Sequence, residues 1–288
     1  MRWSDGLTLL GLALIWGTSY VLIKWGLAVF SPLQVAALRV GLSCLAVAPL
    51  AGRHLRRVER RQLPLLLLVG LTGTGLPSFL FPFAQTQLSS SLTGMLSGLT
   101  PLCTVLVSWG LFANRPGRLQ LVGIVLGLIG AVGLAAAAPG EGGQSRQVLY
   151  AGFILAACFC YGLSSNLVAN RLRGLSSLTI TVVSFFLVGL PGLLWALTLG
   201  RVLPTAAAAE GGWAALGYVG LLALGSTVLA SVVFFRLVQR AGAVFASTVS
   251  YLIPLVALAW GLVDGEAIGA WQLPAAALIL VGVFLSRR

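Results

Sequence analysis

The chain has 288 residues, of which 58% are hydrophobic and 8% charged, whereas about a quarter of the residues in a soluble domain are charged. So few charges cannot cover a water-exposed surface, which excludes a soluble globular protein and points to an integral membrane protein. The formal net charge of +12 does not point to nucleic acid, because the cations are scattered among short connections and form no single basic patch.

A membrane-crossing helix needs about 20 mostly apolar residues. Divided at polar, Gly and Pro breaks, the sequence predicts ten spans near 6–30, 32–52, 63–84, 88–112, 118–138, 147–170, 177–200, 212–238, 243–263 and 269–286. The first span follows Met1-Arg2, carries Lys24 near its far end and shows no small-residue cleavage site, so it reads as a retained helix and not a removable signal. Cys44, Cys103, Cys158 and Cys160 all lie in apolar stretches and read as small buried hydrophobes, with neither a disulfide framework nor a metal site expected. The longest connection, RVLPTAAAAEG at 201–211, is too small for a domain. Function is therefore expected within the bundle, in contact with the lipid bilayer.

Cations resist translocation, so the loops that hold them stay on the cytoplasmic side. With the N-terminus inside, that side collects Arg53, Arg56, Arg57, Arg60 and Arg61 in one loop. It also collects Arg115 and Arg118, Arg171 and Arg173, Arg236 and Arg240, and Arg2, Arg287 and Arg288 at the termini. Arg146 and Arg201 fall outside, and Lys24 and Arg39 lie within spans. The expectation is a multi-pass protein of the bacterial inner membrane with both termini cytoplasmic. The run RHLRRVERR at 53–61 reads as a topology determinant, with docking to acidic headgroups as the competing reading.

The two halves resemble each other. GMLSGLTPL at 94–102 aligns with STVSYLIPL at 247–255, pairing Ser97 with Ser250 and Pro101 with Pro254, 153 residues apart. Trp16-Gly17 with Ser19 matches Tyr161-Gly162 with Ser164, 145 residues apart. Five spans per half is an odd number, so the second copy must insert upside down. Inverted repeats are the architecture of alternating-access carriers, with a site near the midplane; chance similarity between leucine-rich helices is the alternative.

The stretches ALIWGTSYVLIKWGL (13–27), Pro32 to Leu38-Arg39, and VSYLIPLVALAWGLVDGE (249–266) resemble the EamA family of the drug/metabolite transporter superfamily. The resemblance implies an all-α integral membrane fold of ten transmembrane helices in two inverted five-helix repeats, the first at 1–138 and the second at 147–288. It further implies a central cavity lined by helices one, three, four, six, eight and nine, and export of amino acids or other small metabolites. One departure stands out: the turn after the ninth span is Asp264-Gly265-Glu266, whereas the turn after the fourth is Ala113-Asn114-Arg115.

Polar residues inside hydrocarbon are costly and mark water, a partner helix or a substrate, and helical neighbours stand three or four apart. On that spacing Trp16, Ser19, Tyr20, Ile23 and Lys24 share a face of the first span, and Thr74, Pro77, Ser78 and Pro82 of the third. Thr93, Ser97, Thr100 and Pro101 share one in the fourth, and Tyr161, Ser164 and Ser165 in the sixth. Ser226, Thr227 and Ser231 do so in the eighth, and Ser247, Ser250, Tyr251 and Pro254 in the ninth. These are the candidate substrate-binding wall; close helix packing through small residues competes with it. Pro101 and Pro254 each free a carbonyl near Ser97 and Ser250, for a substrate ammonium or for simple bending.

Lys24 and Arg39 lie about 6 Å and about 10 Å below the expected outer surface at 1.5 Å per residue. Together they offer a positive region for a substrate carboxylate. Snorkelling of Lys24 to the headgroups and carbonyl contacts of Arg39 are the competing readings. Asp5, Glu59, Glu141, Glu210, Asp264 and Glu266 all sit at span ends or in loops, and His54 is in the basic loop. No titratable group at the midplane implies transport without proton coupling, with Asp264 or Glu266 the only fallback. The same lack argues against an intramembrane enzyme, and no charged ring or carbonyl filter suggests a channel. The expectation is a carrier for a small polar metabolite, foremost an amino acid, with no cofactor. Nucleotide sugars, drugs and lipid-like solutes remain as other substrate classes, and one chain holds both repeats, so a monomer suffices.

Overall fold

The computed structural model describes residues 3–136 and 144–286. Arg2, Arg287, Arg288 and Glu141 lie outside the described residues. Among the described residues all regular structure is helical. Eight helices are long and apolar enough to cross a membrane: α1 (Gly6–Leu27), α2 (Pro32–Leu55), α3 (Arg60–Gln85), α4 (Ser90–Phe112), α6 (Arg146–Arg171), α7 (Ser177–Leu197), α8 (Gly212–Ala241) and α9 (Ala243–Val263). Two further apolar helices, α5 (Arg118–Leu134) and α10 (Gln272–Leu285), are shorter. They rise roughly 20–26 Å at 1.5 Å per residue, against about 30 Å of hydrocarbon.

Two departures from expectation have local causes. The tenth span was expected from residue 269, but the Gln272 side chain accepts the Gly269 N–H at 3.2 Å, so the chain turns there and the helix begins at Gln272. Connection 201–211 contains a short helix, Val202–Ala208, because Val202 and Ala206 bury against the cluster of Phe30 and Val35. Other starts follow ordinary capping. Ser31 Oγ accepts the Gln34 N–H while Gln34 Oε1 accepts the Ser31 N–H, with Pro32 opening α2. Ser89 and Ser176 cap α4 and α7 by accepting the N–H of Leu92 and of Thr179.

The bundle is apolar outside and polar within. Leu121, Val122, Val125, Ile129 and Val132 are exposed along α5, whereas Ser43, Thr104, Thr181 and Ser184 are fully buried. In lipid, covering leucine yields little, so association depends on close packing at small residues. α2 runs along α7 and α5 along α10. A Cβ on Gly189 would stand 2.4 Å from the Val40 carbonyl oxygen, and one on Gly282 2.5 Å from that of Gly123.

The halves also cross over. Trp16-Gly17 brings α1 against Val256 of α9, where a Cβ on Gly17 would approach to 2.4 Å. Tyr161-Gly162 brings α6 against Thr104 of α4, with 3.0 Å to its Cα. Irregular turns recur in matching places: π-type stretches at Leu71–Gly75 and Leu222–Leu229, and 3-10 turns at Ser97–Leu99 and Thr248–Tyr251. All four fall where the interior is polar. Gly282→Leu should destabilise the purified protein by about 1–3 kcal/mol through overpacking, read as a lowered Tm. Gly110→Leu, which meets nothing within 4 Å, should leave Tm unchanged.

Candidate functional site

The four irregular turns surround a central cavity. It is lined by Trp16, Ser19, Tyr20 and Ile23 of α1, Arg39 of α2, Gly73, Thr74 and Phe81 of α3, and Ser97 and Thr100 of α4. Tyr161, Ser164 and Ser165 of α6, Ser226, Thr227, Ser231, Phe234 and Phe235 of α8, and Ser247, Val249, Ser250 and Ile253 of α9 complete it. Irregular backbone at membrane depth is tolerated where it borders a cavity or is re-satisfied by side chains. Here the π-type turn of α8 leaves carbonyls that side chains take up: Trp16 Nε1 donates to Ser226 O at 2.8 Å and Thr227 Oγ1 to Leu222 O at 3.0 Å. The cavity volume is about 80 Å³, room for roughly six waters at ~10–15 Å³ each.

The wall has two chemical characters. Hydroxyls spend their protons on backbone carbonyls: Ser19 on Ile15 (3.1 Å), Ser97 on Gly94 (2.6 Å), Ser165 on Tyr161 (2.8 Å) and Ser247 on Val244 (2.8 Å). What they turn to the cavity is lone pairs, which accept. Arg39 supplies the opposite character. Its residue is 7% exposed, its Nε donates to Thr227 Oγ1 at 2.9 Å, and Tyr161 stands beside it. Among the described residues no carboxylate lies within salt-bridge distance of its guanidinium. Aromatic rings fill the remainder: Phe81 lies 5.6 Å from Tyr20 and 6.0 Å from Tyr161, centroid to centroid, and Phe234 meets Trp16 edge-on at 5.0 Å.

Of the residues singled out from sequence, Trp16, Ser19, Tyr20, Ile23, Arg39, Thr74, Ser97, Thr100, Tyr161, Ser164, Ser165, Ser226, Thr227, Ser231, Ser247 and Ser250 meet at this cavity. Others do not. Lys24 is ion-paired with Asp264 and, at 2.9 Å, with Glu266, so the expected positive region shared with Arg39 is absent and snorkelling is replaced by pairing. Ser78 Oγ and Thr93 Oγ1 are buried off the cavity without a hydrogen-bond partner. Tyr251 donates its hydroxyl to Val283 O of α10 at 2.5 Å. The carbonyl freed by Pro101 is taken by Thr100 Oγ1, 2.7 Å from Ser97 O, which favours bending over ligand contact there. Phe81, Phe234 and Phe235 also line the cavity but carry no polar signal in the sequence, although Phe81 stands seven residues from Thr74 and Phe235 four from Ser231 on the same faces.

The Lys24 cluster ties three helices at one end of the bundle. Glu266 Oε1 accepts the Ser90 N–H (3.0 Å) and hydroxyl (2.8 Å), Oε2 accepts the Ser91 N–H (2.9 Å), and Trp25 Nε1 donates to Asp264 Oδ1 (2.9 Å). Burial pushes the Glu266 carboxyl up, but hydrogen bonds from Ser91, Lys24 and Ser90 outweigh it and hold the pKa at about 2. The hydrogen bond from Lys24 likewise depresses Asp264, against its burial.

A family model described as the EamA-like transporter family matches residues 5–136 and again 148–288. The chain is 28% identical over 296 residues to a protein of Salmonella typhimurium named "Probable amino-acid metabolite efflux pump", covering 99% of this chain and 95% of that protein. It is 25% identical over 281 residues to the "Probable terminal-alkyne amino-acid exporter" of Streptantibioticus cattleyicolor, covering 95% of this chain and 90% of that one. A solved crystal structure shares the fold with a TM-score of 0.68 at 22% identity, over 99% of this chain and 96% of that chain. With both matched stretches together spanning nearly its full length, the chain belongs to the EamA-like transporter family.

Proposed function

We propose that the protein exports a small zwitterionic metabolite, an amino acid, across the cytoplasmic membrane, by rocking two inverted repeats (1–138 and 147–288) about the central cavity. The observation that carries this reading is Arg39: a buried cation facing the cavity with no carboxylate partner among the described residues. An uncompensated buried charge is expensive, and a substrate carboxylate held by the guanidinium supplies the missing anion. The acceptor lone pairs of Ser19, Ser97, Ser165 and Ser247 suit the ammonium, and the rings of Trp16, Tyr20, Phe81 and Phe234 suit an apolar side chain. The names of the two relatives above point the same way. The cation distribution supports termini on the cytoplasmic side.

Arg39→Ala should weaken binding of an amino acid by about 30-fold or more, the loss expected when one partner of a buried charge pair is truncated. Its neutral amide should change by less than about threefold. Equal losses for both ligands would make Arg39 a structural partner of Thr227 only.

Coupling follows from the same wall, on which no Asp, Glu or His stands. A carboxyl whose folded pKa is depressed contributes stability that is fully present above its ordinary value, 4.5 for Glu266, and is lost as pH falls through about 2. While the cluster is formed, Asp264 and Glu266 therefore stay ionised from pH 5 to 8, which supports a cycle without proton coupling. Flux in proteoliposomes should be the same with and without a pH gradient in that range; a steep dependence on the gradient would contradict it.

A further inference from the structure

Alternating access, as proposed above, requires each end of the cavity to open in turn, and one end is built differently from the other. At that end Lys24 of α1 meets Asp264 and Glu266 beyond α9, and Glu266 in turn accepts three hydrogen bonds from Ser90 and Ser91 at the start of α4. The carboxylate is the centre of the knot, being 5% exposed against 39% for the Lys24 side chain. The cluster cross-links the first half of the chain, through α1 and α4, to the second half.

Helical register places polar atoms with nothing to bond on the lines that run from the cavity toward this knot. Ser78 Oγ, Thr93 Oγ1 and both amide atoms of Gln85 are buried without a hydrogen-bond partner. Each stands on the helical line of a cavity residue and nearer the Lys24 end. Ser78 follows Thr74 by four residues, Gln85 follows Phe81 by four, and Thr93 precedes Ser97 by four, just as Lys24 follows Tyr20 by four. Three helices thus extend the cavity face toward the knot as a closed, polar seam. Buried polar groups are normally satisfied, and an unmade hydrogen bond is a penalty that hydration removes.

The repeat-related position at the opposite end cannot form the same knot. Ala169 stands 145 residues after Lys24, and the turn after α4 reads Ala113-Asn114-Arg115, without an acid. Asn114 there donates to Ser108 Oγ at 2.9 Å, within its own helix end.

We infer that Lys24, Asp264 and Glu266 form a one-sided latch that seals this end of the cavity, and that Ser78, Gln85 and Thr93 line the passage that opens when the latch releases. The latch holds the sealed state against the unpaired groups of the seam, and a solute leaving by this end must pass them. Weakening the knot shifts the population toward the state open at this end.

The test reads access and not transport. Ser78→Cys or Thr93→Cys is placed singly in the full chain with the four native cysteines replaced, and the protein is held in nanodiscs so that a hydrophilic thiol reagent reaches both faces. With the latch intact both sites should react slowly. Adding Lys24→Gln should speed them by about two- to fivefold, as expected when a lost, partly exposed ion pair shifts a two-state population. Val125→Cys on the lipid-facing surface should not change. Should Lys24→Gln fail to fold, Asp264→Asn with Glu266→Gln breaks the same contacts from the other side. Unchanged labelling in either folded latch variant overturns the inference even if amino-acid flux is normal. Faster labelling in a protein that moves no amino acid upholds the latch and counts against the proposed function.

Discussion

Hydrocarbon offers a polar atom no partner, so most of those inside the bundle are satisfied by the protein itself or border the cavity, with Ser78, Gln85, Thr93, Thr181 and Ser184 as exceptions. That constraint orders the molecule. It turns the leucines and valines of α5 outward and the serines and threonines inward. It makes cavity hydroxyls donate to carbonyls of their own or a neighbouring helix, and it places an indole at the carbonyl that a π-type turn of α8 leaves open. Arg39 stands apart because its neutral neighbours, Thr227 and Tyr161, do not neutralise a guanidinium.

The irregular turns give the site both its shape and its capacity to move. A regular helix would bury its carbonyls along the whole interior; π-type and 3-10 turns in α3, α8, α4 and α9 interrupt it at one level. These are also the places where helices bend most readily. The crossed packing of α1 on α9 and α6 on α4, each at a glycine that leaves little or no room for a Cβ, makes each half of the chain share its cavity wall with the other. In the rocking proposed above, movement of one half would change both ends of the cavity together. The Lys24 cluster breaks the symmetry between those ends.

Much of this was legible in the sequence, for a physical reason. Helical spacing reveals which residues share a face, and the faces through Trp16, Ser19 and Tyr20, or Tyr161, Ser164 and Ser165, do meet at the cavity. Spacing does not reveal how far along a face the cavity extends. Ser78, Thr93 and Lys24 lie on the right faces, one turn beyond it. Nor does it reveal pairing across 240 residues: the Asp264-Gly265-Glu266 turn stood out as a departure from the fourth-span turn, but that its acids reach Lys24, Ser90 and Ser91 needed the fold. Phe81 and Phe235 were on the same faces and were passed over because apolar rings carry no polar signal. Arg39 was found because a cation at membrane depth is rare enough to need a reason.

In the proposed function this cavity is complementary to a zwitterion, with Arg39 on the carboxylate and hydroxyl lone pairs on the ammonium. That complementarity is tested most directly by the thermal stability of the purified wild-type protein against the twenty amino acids, each beside its amide and its decarboxylated amine. The account predicts that at least one amino acid raises Tm and that neither of its one-charge analogues does so to the same extent. Stabilisation by the amine alone, or by nucleotide sugars or lipids with no response to any amino acid, would contradict it.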